Sequence, residues 1–295
     1  MAAVETRLRE IAAVEEHSLA TLAAGGKRLR PLLVLVAGLG SSAHVGLSRA
    51  AAAVELIHSA TLVHDDVLDD APLRRGRETV FAAAGRTAAT ATGDLLFSSA
   101  FAELARNGAI AQLRALSGAS AALARGELMQ RADAWRADVT LERYLQRCEL
   151  KTARLFAAAC ELGGLVGGGP PLWPFGRAVG LAFQLLDDVL DITGPAERTG
   201  KRRGTDLLDG TVTLPLILAR ESSAELAELD LRAIAGAAEA DRICTAIEAT
   251  GAVERARRRA LDLVATAKRE LPTQCPRRQR EALELIADGL VERFA

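Results

Sequence analysis

Residues 56–70 read LIHSATLVHDDVLDD and residues 181–191 read LAFQLLDDVLD, two runs that set aspartates inside otherwise apolar sequence. Asp65 and Asp69 stand four apart, as do Asp66 and Asp70, and Asp187 and Asp191, so each pair shares one face of a helix. Like charges at that spacing cost about 0.2–0.5 kcal/mol per pair, and aspartate is a mediocre helix former. Such a stripe calls for counter-charge. Carboxylate oxygens suit the hard cations Mg²⁺ and Ca²⁺ better than zinc. Mg²⁺ takes only one or two carboxylates and completes its shell with water and phosphate oxygens. Two acidic stripes of the same D-D-x-x-D spacing therefore predict Mg²⁺ carrying a phosphorylated substrate, in a cavity lined by both. One Asp-Asp pair alone is equally well read as a solvated helix end; the repetition within apolar flanks argues against that.

Basic residues supply the other half of the chemistry. Lys27 and Arg30 lie in the glycine turn GGKRLRP at 25–31, and Arg74 and Arg75 follow the first acidic run directly. Lys151-Thr152 and Gly200-Lys201-Arg202 add further donors. Arginine forks match phosphate oxygens two at a time, and lysine acts as a point charge. Singly each reads as a surface charge; the set carries the expectation.

These groups need helices to hold them. No proline occurs from Leu73 to Gly169 or from Leu216 to Leu271, and alanine, leucine and straight-chain polar residues dominate both stretches. Aromatics are only 3% of the chain, too few for a sheet protein, so the class is all-α. Gly25-Gly26 ends a first helix and Pro31 opens a second. The pattern predicts a helix from about Ser48 to Asp70, stopped by Ala71-Pro72, and a loop over Leu73 to Arg77. A helix through Thr90 to Asn107 follows, then a connection punctuated by Gly108 and Gly118. Thr140 reads as the N-cap of a helix carrying Lys151. Gly163 to Pro174 reads as a loop, and Gly176 to Ile192 as a helix ended by Thr193-Gly194-Pro195. The last third reads as helical hairpins, with a final helix after Pro276 and a wetted basic face at Arg257 to Arg259. With no linker and no repeat, residues 1–295 are expected to form one large helical bundle with a central cavity.

Of 295 residues 49% are hydrophobic, and 37 basic side chains face 38 acidic ones, for a net charge of -1. That balance excludes bulk affinity for nucleic acid or an anionic membrane, and the apolar content excludes disorder. No apolar run approaches the roughly 18 to 20 residues of a membrane span. The N-terminus lacks the apolar block of a signal peptide. Cys148, Cys160, Cys244 and Cys275 are widely spaced, which reads as a reduced, cytoplasmic protein.

Six elements occur in order: GGKRLRP, VELIHSATLVHDDVLDDAPLRRGRET at 54–79, GELMQ at 126–130, KTARLF at 151–156, FQLLDDVLDITG at 183–194, and GKRRGTDLLDGTVTLPL at 200–216. Together, from about Gly25 to Leu218, they resemble the trans-isoprenyl diphosphate synthases, or polyprenyl synthetases. The resemblance implies Asp65, Asp69 and Asp187 as Mg²⁺ ligands, with Asp66, Asp188 and Asp191 assisting through hydrogen bonds or bound water. It implies that Lys27, Arg30, His58 and Arg75 hold isopentenyl diphosphate, and that Arg74, Lys151, Thr152, Gln184 and Lys201 serve the allylic diphosphate. His58 precedes Asp65 by two helical turns on the same face. The implied reaction is head-to-tail addition of isopentenyl diphosphate to an allylic prenyl diphosphate, with diphosphate released, in a homodimer. In this family, bulky aromatics four or five residues before the first aspartate shorten the product. Here those positions are Thr61 and Ala60, so a product of geranylgeranyl size or longer is expected, unless residues around Leu95 to Phe101 set the length.

Two departures from the family stand out. Asp209-Gly210-Thr211 replaces the usual Glu-Gly-Lys, leaving Arg202 or Arg203 to supply the missing charge. The segment before Gly25 is short for the N-terminal helix used in dimer contacts. Among rival readings, the Glu55-x-x-His58 spacing of a di-iron bundle lacks a second copy, since histidines occur only at 17, 44, 58 and 64. A His-Asp phosphohydrolase fails on the same shortage. A terpene cyclase or head-to-head synthase needs no second diphosphate grip. A non-catalytic subunit of a heteromeric synthase and a short-chain farnesyl synthase remain as alternatives; intact aspartates in both clusters argue against the first.

Overall fold

The computed structural model describes residues 1–13, 16–23, 27–74, 76–194, 203–292 and 294. These form helices α1 (Ala2–Ala12), α2 (Glu16–Ala23), α3 (Leu29–Ala37), α4 (His44–Leu68), α5 (Val80–Ala105), α6 (Ile110–Asp133), α7 (Leu141–Cys148), α8 (Arg154–Gly167) and α9 (Trp173–Thr193). After them come α10 (Thr205–Leu208), α11 (Leu214–Arg220), α12 (Ala224–Ala227), α13 (Ala237–Ala249), α14 (Ala252–Arg269) and α15 (Arg277–Glu292). A π-helical turn, Glu149–Ala153, joins α7 to α8. The all-α expectation holds, with one exception. The span expected as a loop after the first acidic run is a two-stranded ribbon, β1 (Leu73–Arg74) against β2 (Arg77–Glu78), antiparallel with Leu73 opposite Glu78 and Arg74 opposite Arg77.

The chain divides into two compact units. The first comprises Met1–Ser120, Leu155–Gly176 and Pro272–Leu283; the second comprises Ala121–Arg154, Arg177–Leu271 and Glu284–Ala295. In the first unit α4 packs along α5 and against α1 and α3. Ala50, Ala51, Ala52 and Ala53 of α4 are all buried, and such small side chains let neighbouring helices approach closely. In the second unit α11 packs on α14, α13 and α7, and α10 on α13.

Several expected boundaries move. α4 begins at His44, a turn earlier than expected. The segment before Gly25, short though it is, forms two helices, and Val4, Leu8 and Ala12 bury one face of the first. Gly118 lies within α6 and does not punctuate a connection. The loop expected from Gly163 to Pro174 shrinks to residues 168–172, because α8 continues through Gly163 and Gly164. The reason is packing: a Cβ on Gly163 would stand 2.3 Å from the carbonyl oxygen of Val34 in α3. Gly163 permits a close helix contact and makes no turn.

Candidate active site

The first acidic run ends α4. Its second aspartate, Asp66, is buried and accepts a hydrogen bond from Arg74 Nε of β1 at 2.7 Å. The ribbon brings Arg74 back to it, and Thr79 closes the ribbon by donating to the Ala71 carbonyl at 2.6 Å. Asp65 is half-buried, and Asp69 is exposed at the C-terminal end of α4. Asp70, with a left-handed φ of 47°, accepts from Arg86 at 2.6 Å. His58 is half-buried two turns before Asp65. The ring of His64 fills the space over Gly93 of α5, where any Cβ would meet it at 2.3 Å. Ala60 is fully buried, and Thr61 donates to the His58 carbonyl at 2.7 Å.

In the GGKRLRP motif, whose Gly25 and Gly26 lie outside the described residues, Lys27 is exposed, and the Arg30 guanidinium lies 4.6 Å from the ring centre of Phe156 in KTARLF. Between them, Arg28 reaches Glu55 at 2.6 Å and Glu5 at 2.9 Å. Glu55 is therefore committed to a cation. Burial raises its pKa, and the Arg28 charge only partly offsets this.

The second acidic run lies in α9. Asp188 is buried between two donors, the Tyr144 hydroxyl of α7 at 2.5 Å and Gln184 Nε2 at 2.8 Å. Gln184 accepts in turn from the Thr152 hydroxyl at 2.6 Å. Burial, followed by the charge of Asp206, pushes the Asp188 carboxyl well above the usual carboxylate range, against the pull of those donors. Asp187 is exposed; Asp191 is half-buried and accepts from the Asp206 amide at 3.2 Å.

Lys151 and Thr152 sit on the π-helical turn, a feature that concentrates at functional positions. Thr140 caps α7 as expected, accepting from the Arg143 amide at 3.2 Å. The Lys151 ammonium pairs with Glu127 of α6 and lies 3.2 Å from Gln130 Oε1. Burial alone would raise the Glu127 pKa; Lys151 and Arg131 outweigh it and hold the carboxyl below its ordinary value. α6 reaches this turn because residue 126 is glycine: a Cβ there would stand 2.6 Å from the Lys151 amide nitrogen. Arg203 is committed elsewhere, to Asp241 at 2.9 Å, Glu248 at 2.6 Å and the Ile192 carbonyl, so it does not replace the charge missing at Thr211. Arg75, Lys201 and Arg202 lie outside the described residues.

Asp66 and Asp188, the second aspartate of each run, are thus buried against protein donors. Asp65 and Asp69, like Asp187 and Asp191, keep access to solvent. Among the described residues no three His, Cys, Asp or Glu side chains already form a ligand cluster. An oxygen-only pair at i, i+4 suits Mg²⁺, which takes few carboxylates; it does not suit a metal that must be caged by protein alone.

Residues 12–249 match the polyprenyl synthetase family. The chain is 42% identical to heptaprenyl diphosphate synthase component 2 of Geobacillus stearothermophilus, over 86% of this chain and 83% of that protein. The chain belongs to the polyprenyl synthetase family. As a member it is a trans-prenyltransferase. It is also 37% identical to the short chain isoprenyl diphosphate synthase of Methanothermobacter thermautotrophicus, across 98% of this chain and 91% of that one. In structure it is similar to a polyprenyl synthase from Caulobacter crescentus crystallised with calcium and isoprenyl diphosphate. That likeness has a TM-score of 0.90 and 35% identity, covering 100% of this chain and 93% of that one. No helix among the described residues is long and apolar enough to cross a membrane.

Three residues of this family member escape a reading of the sequence as isolated motifs: Tyr144, Glu127 and Arg28. Tyr144 is the only tyrosine in the chain, and its neighbourhood carries no acidic motif. Glu127 belongs to GELMQ and Arg28 to GGKRLRP, where the charge itself is a usable signal.

Proposed function

We propose that this prenyltransferase extends an allylic prenyl diphosphate with isopentenyl diphosphate, using Mg²⁺, and releases a product of geranylgeranyl size or longer. The observation that carries the metal assignment is the division of labour repeated in two helices. In each D-D-x-x-D run the middle aspartate is buried on protein donors while the pair at i, i+4 stays accessible. Asp65, Asp69 and Asp187 would be the ligands, with Asp66, Asp188 and Asp191 orienting them. Lys27, Arg30, His58 and Arg75 would hold isopentenyl diphosphate; Arg74, Lys151, Thr152, Gln184 and Lys201 would hold the allylic diphosphate. When bound, Mg²⁺ would neutralise the allylic diphosphate and make it a leaving group. The basic side chains would spread the negative charge that develops on the departing diphosphate. Exclusion of water would protect the allylic cation; the double bond of isopentenyl diphosphate would attack it, and the released diphosphate would take up the proton that is then lost. A cytoplasmic homodimer completes this reading; the four cysteines, all buried thiols outside any disulfide, are consistent with a reducing compartment.

The test is turnover by the purified chain alone with Mg²⁺, isopentenyl diphosphate and a panel of allylic primers, with products sized by chromatography. Extension is expected, and Asp65→Ala should abolish it while leaving the helical circular dichroism intact. Retained activity in that variant would refute the metal assignment. The name of the 42% identical relative, a component 2, favours one further reading, in which this chain is active only with a second, different chain. Extension by the chain alone would exclude it.

A further inference from the structure

Arg28 belongs to the GGKRLRP motif yet has no part in the grip proposed for either diphosphate. Its side chain is 11% exposed, and three of its nitrogens each reach a different helix. Nε donates to Glu5 of α1 at 2.9 Å, Nη1 to Glu55 of α4 at 2.6 Å, and Nη2 to the Leu22 carbonyl of α2 at 2.7 Å. Its backbone is left-handed, with φ 47° and ψ 38°, an unfavourable region for a residue with a Cβ. Such conformations persist where the surroundings over-determine them, and three side-chain bonds do so here. The same residue launches α3, its carbonyl accepting from the Leu32 amide at 3.0 Å.

We propose that Arg28, clamped by Glu55 and Glu5, is a positioning residue that fixes Lys27 and Arg30 relative to His58. Glu55 lies three residues before His58 on α4, one turn away on the same face. Lys27 and Arg30 flank Arg28. One planar fork thus ties the segment carrying two of the proposed isopentenyl diphosphate contacts to the helix carrying a third, all within the first unit. A lysine could not replace it, having one ammonium where three directions are needed. Glu55, at 4% exposure, needs that partner to stay ionised. The Glu-x-x-His spacing that resembled half of a di-iron site is accounted for as a latch.

This inference rests on the function proposed above, and its test separates the two. The full chain and the variants Arg28→Lys and Glu55→Gln would be titrated by calorimetry with isopentenyl diphosphate and, separately, with farnesyl diphosphate and Mg²⁺. Both variants should weaken isopentenyl diphosphate binding about tenfold or more and leave farnesyl diphosphate within about twofold, since displaced contacts lose affinity only for the ligand they hold. The double variant should be no worse than the weaker single one, because both remove the same contact. Equal weakening for both ligands, or no weakening while the melting temperature falls, would overturn the positioning role. Should the two variants fail to fold, Glu5→Gln, on the more exposed arm, should weaken isopentenyl diphosphate alone by about two- to threefold, on the scale of one exposed charged contact; an unchanged affinity would overturn the proposal. A wild-type chain that binds neither diphosphate would sink both readings; a wild-type chain that extends primers while the variants bind normally would sink this one alone.

Discussion

Asp188 is a buried carboxyl group held by two neutral donors. Tyr144 is fully buried and directs its hydroxyl at one oxygen, while Gln184 serves the other. Tyr144→Phe keeps the ring and removes only that donor. Leaving a buried polar group short of a partner costs about 1–3 kcal/mol, so the melting temperature should drop. Groups that orient metal ligands typically change metal affinity or activity about 10–100-fold when lost. The concentration of Mg²⁺ giving half-maximal rate should therefore rise about tenfold in Tyr144→Phe. An unchanged Mg²⁺ dependence in a folded variant would mean that Asp188 needs no help. The spacing of Asp65, Asp69, Asp187 and Asp191 was legible in the sequence because helical periodicity is local. The partner of Asp188 was not, because Tyr144 lies 44 residues away and nothing in its own neighbourhood marks it.

At the scale of elements, the π-helical turn and the glycine that faces it form one device. A π turn inserts a residue into the helical register and so turns Lys151 and Thr152 to directions that an α-helix would not give them. Periodicity cannot reveal it, since the sequence on either side reads as ordinary helix. Gly126 likewise reads as a helix weakness. Replacing it with alanine gains about 1 kcal/mol of helix propensity. Against this, the new methyl would stand 2.6 Å from one backbone atom of Lys151 and 2.9 Å from another, neither of which can rotate away. Overpacking of that kind costs about 1–3 kcal/mol, so the clash wins. Gly126→Ala should be destabilised and should raise KM for the allylic diphosphate more than for isopentenyl diphosphate. The ion pair next to it sets a pH dependence. The Glu127 pKa is lower folded than its ordinary 4.5, so the pair's contribution is fully present above that value and is lost as pH falls through the lower folded value. Acid unfolding of the wild type should show a loss of about 1 kcal/mol below pH 4.5 that Glu127→Gln lacks, and parallel curves for the two proteins would rule the coupling out.

Two questions belong to the whole molecule: how long a product it makes and whether it unfolds as one body. Relatives of similar identity carry names from short chain to octaprenyl synthase, so likeness alone leaves length open. If the small residues before Asp65 leave room for a growing chain, Ala60→Phe should shift products to shorter prenyl diphosphates by chromatography. Thr61→Phe gives a second, half-buried position for the same readout, and unchanged distributions in both would place the limit elsewhere, as around Leu95 to Phe101. For unfolding, the sequence offers no linker while the structure divides into two units, and the path of the chain reconciles the two. Its crossings between units fall inside α6, α8, α9 and α15, with one more at Leu271–Pro272. Neither unit is a continuous stretch, and a helix broken at a crossing would lose the backbone bonds of its next turns in both units at once. We propose one cooperative domain over residues 1–295. Scanning calorimetry should then give a single transition with calorimetric and van't Hoff enthalpies in agreement, whereas two resolved transitions would show that the units melt independently.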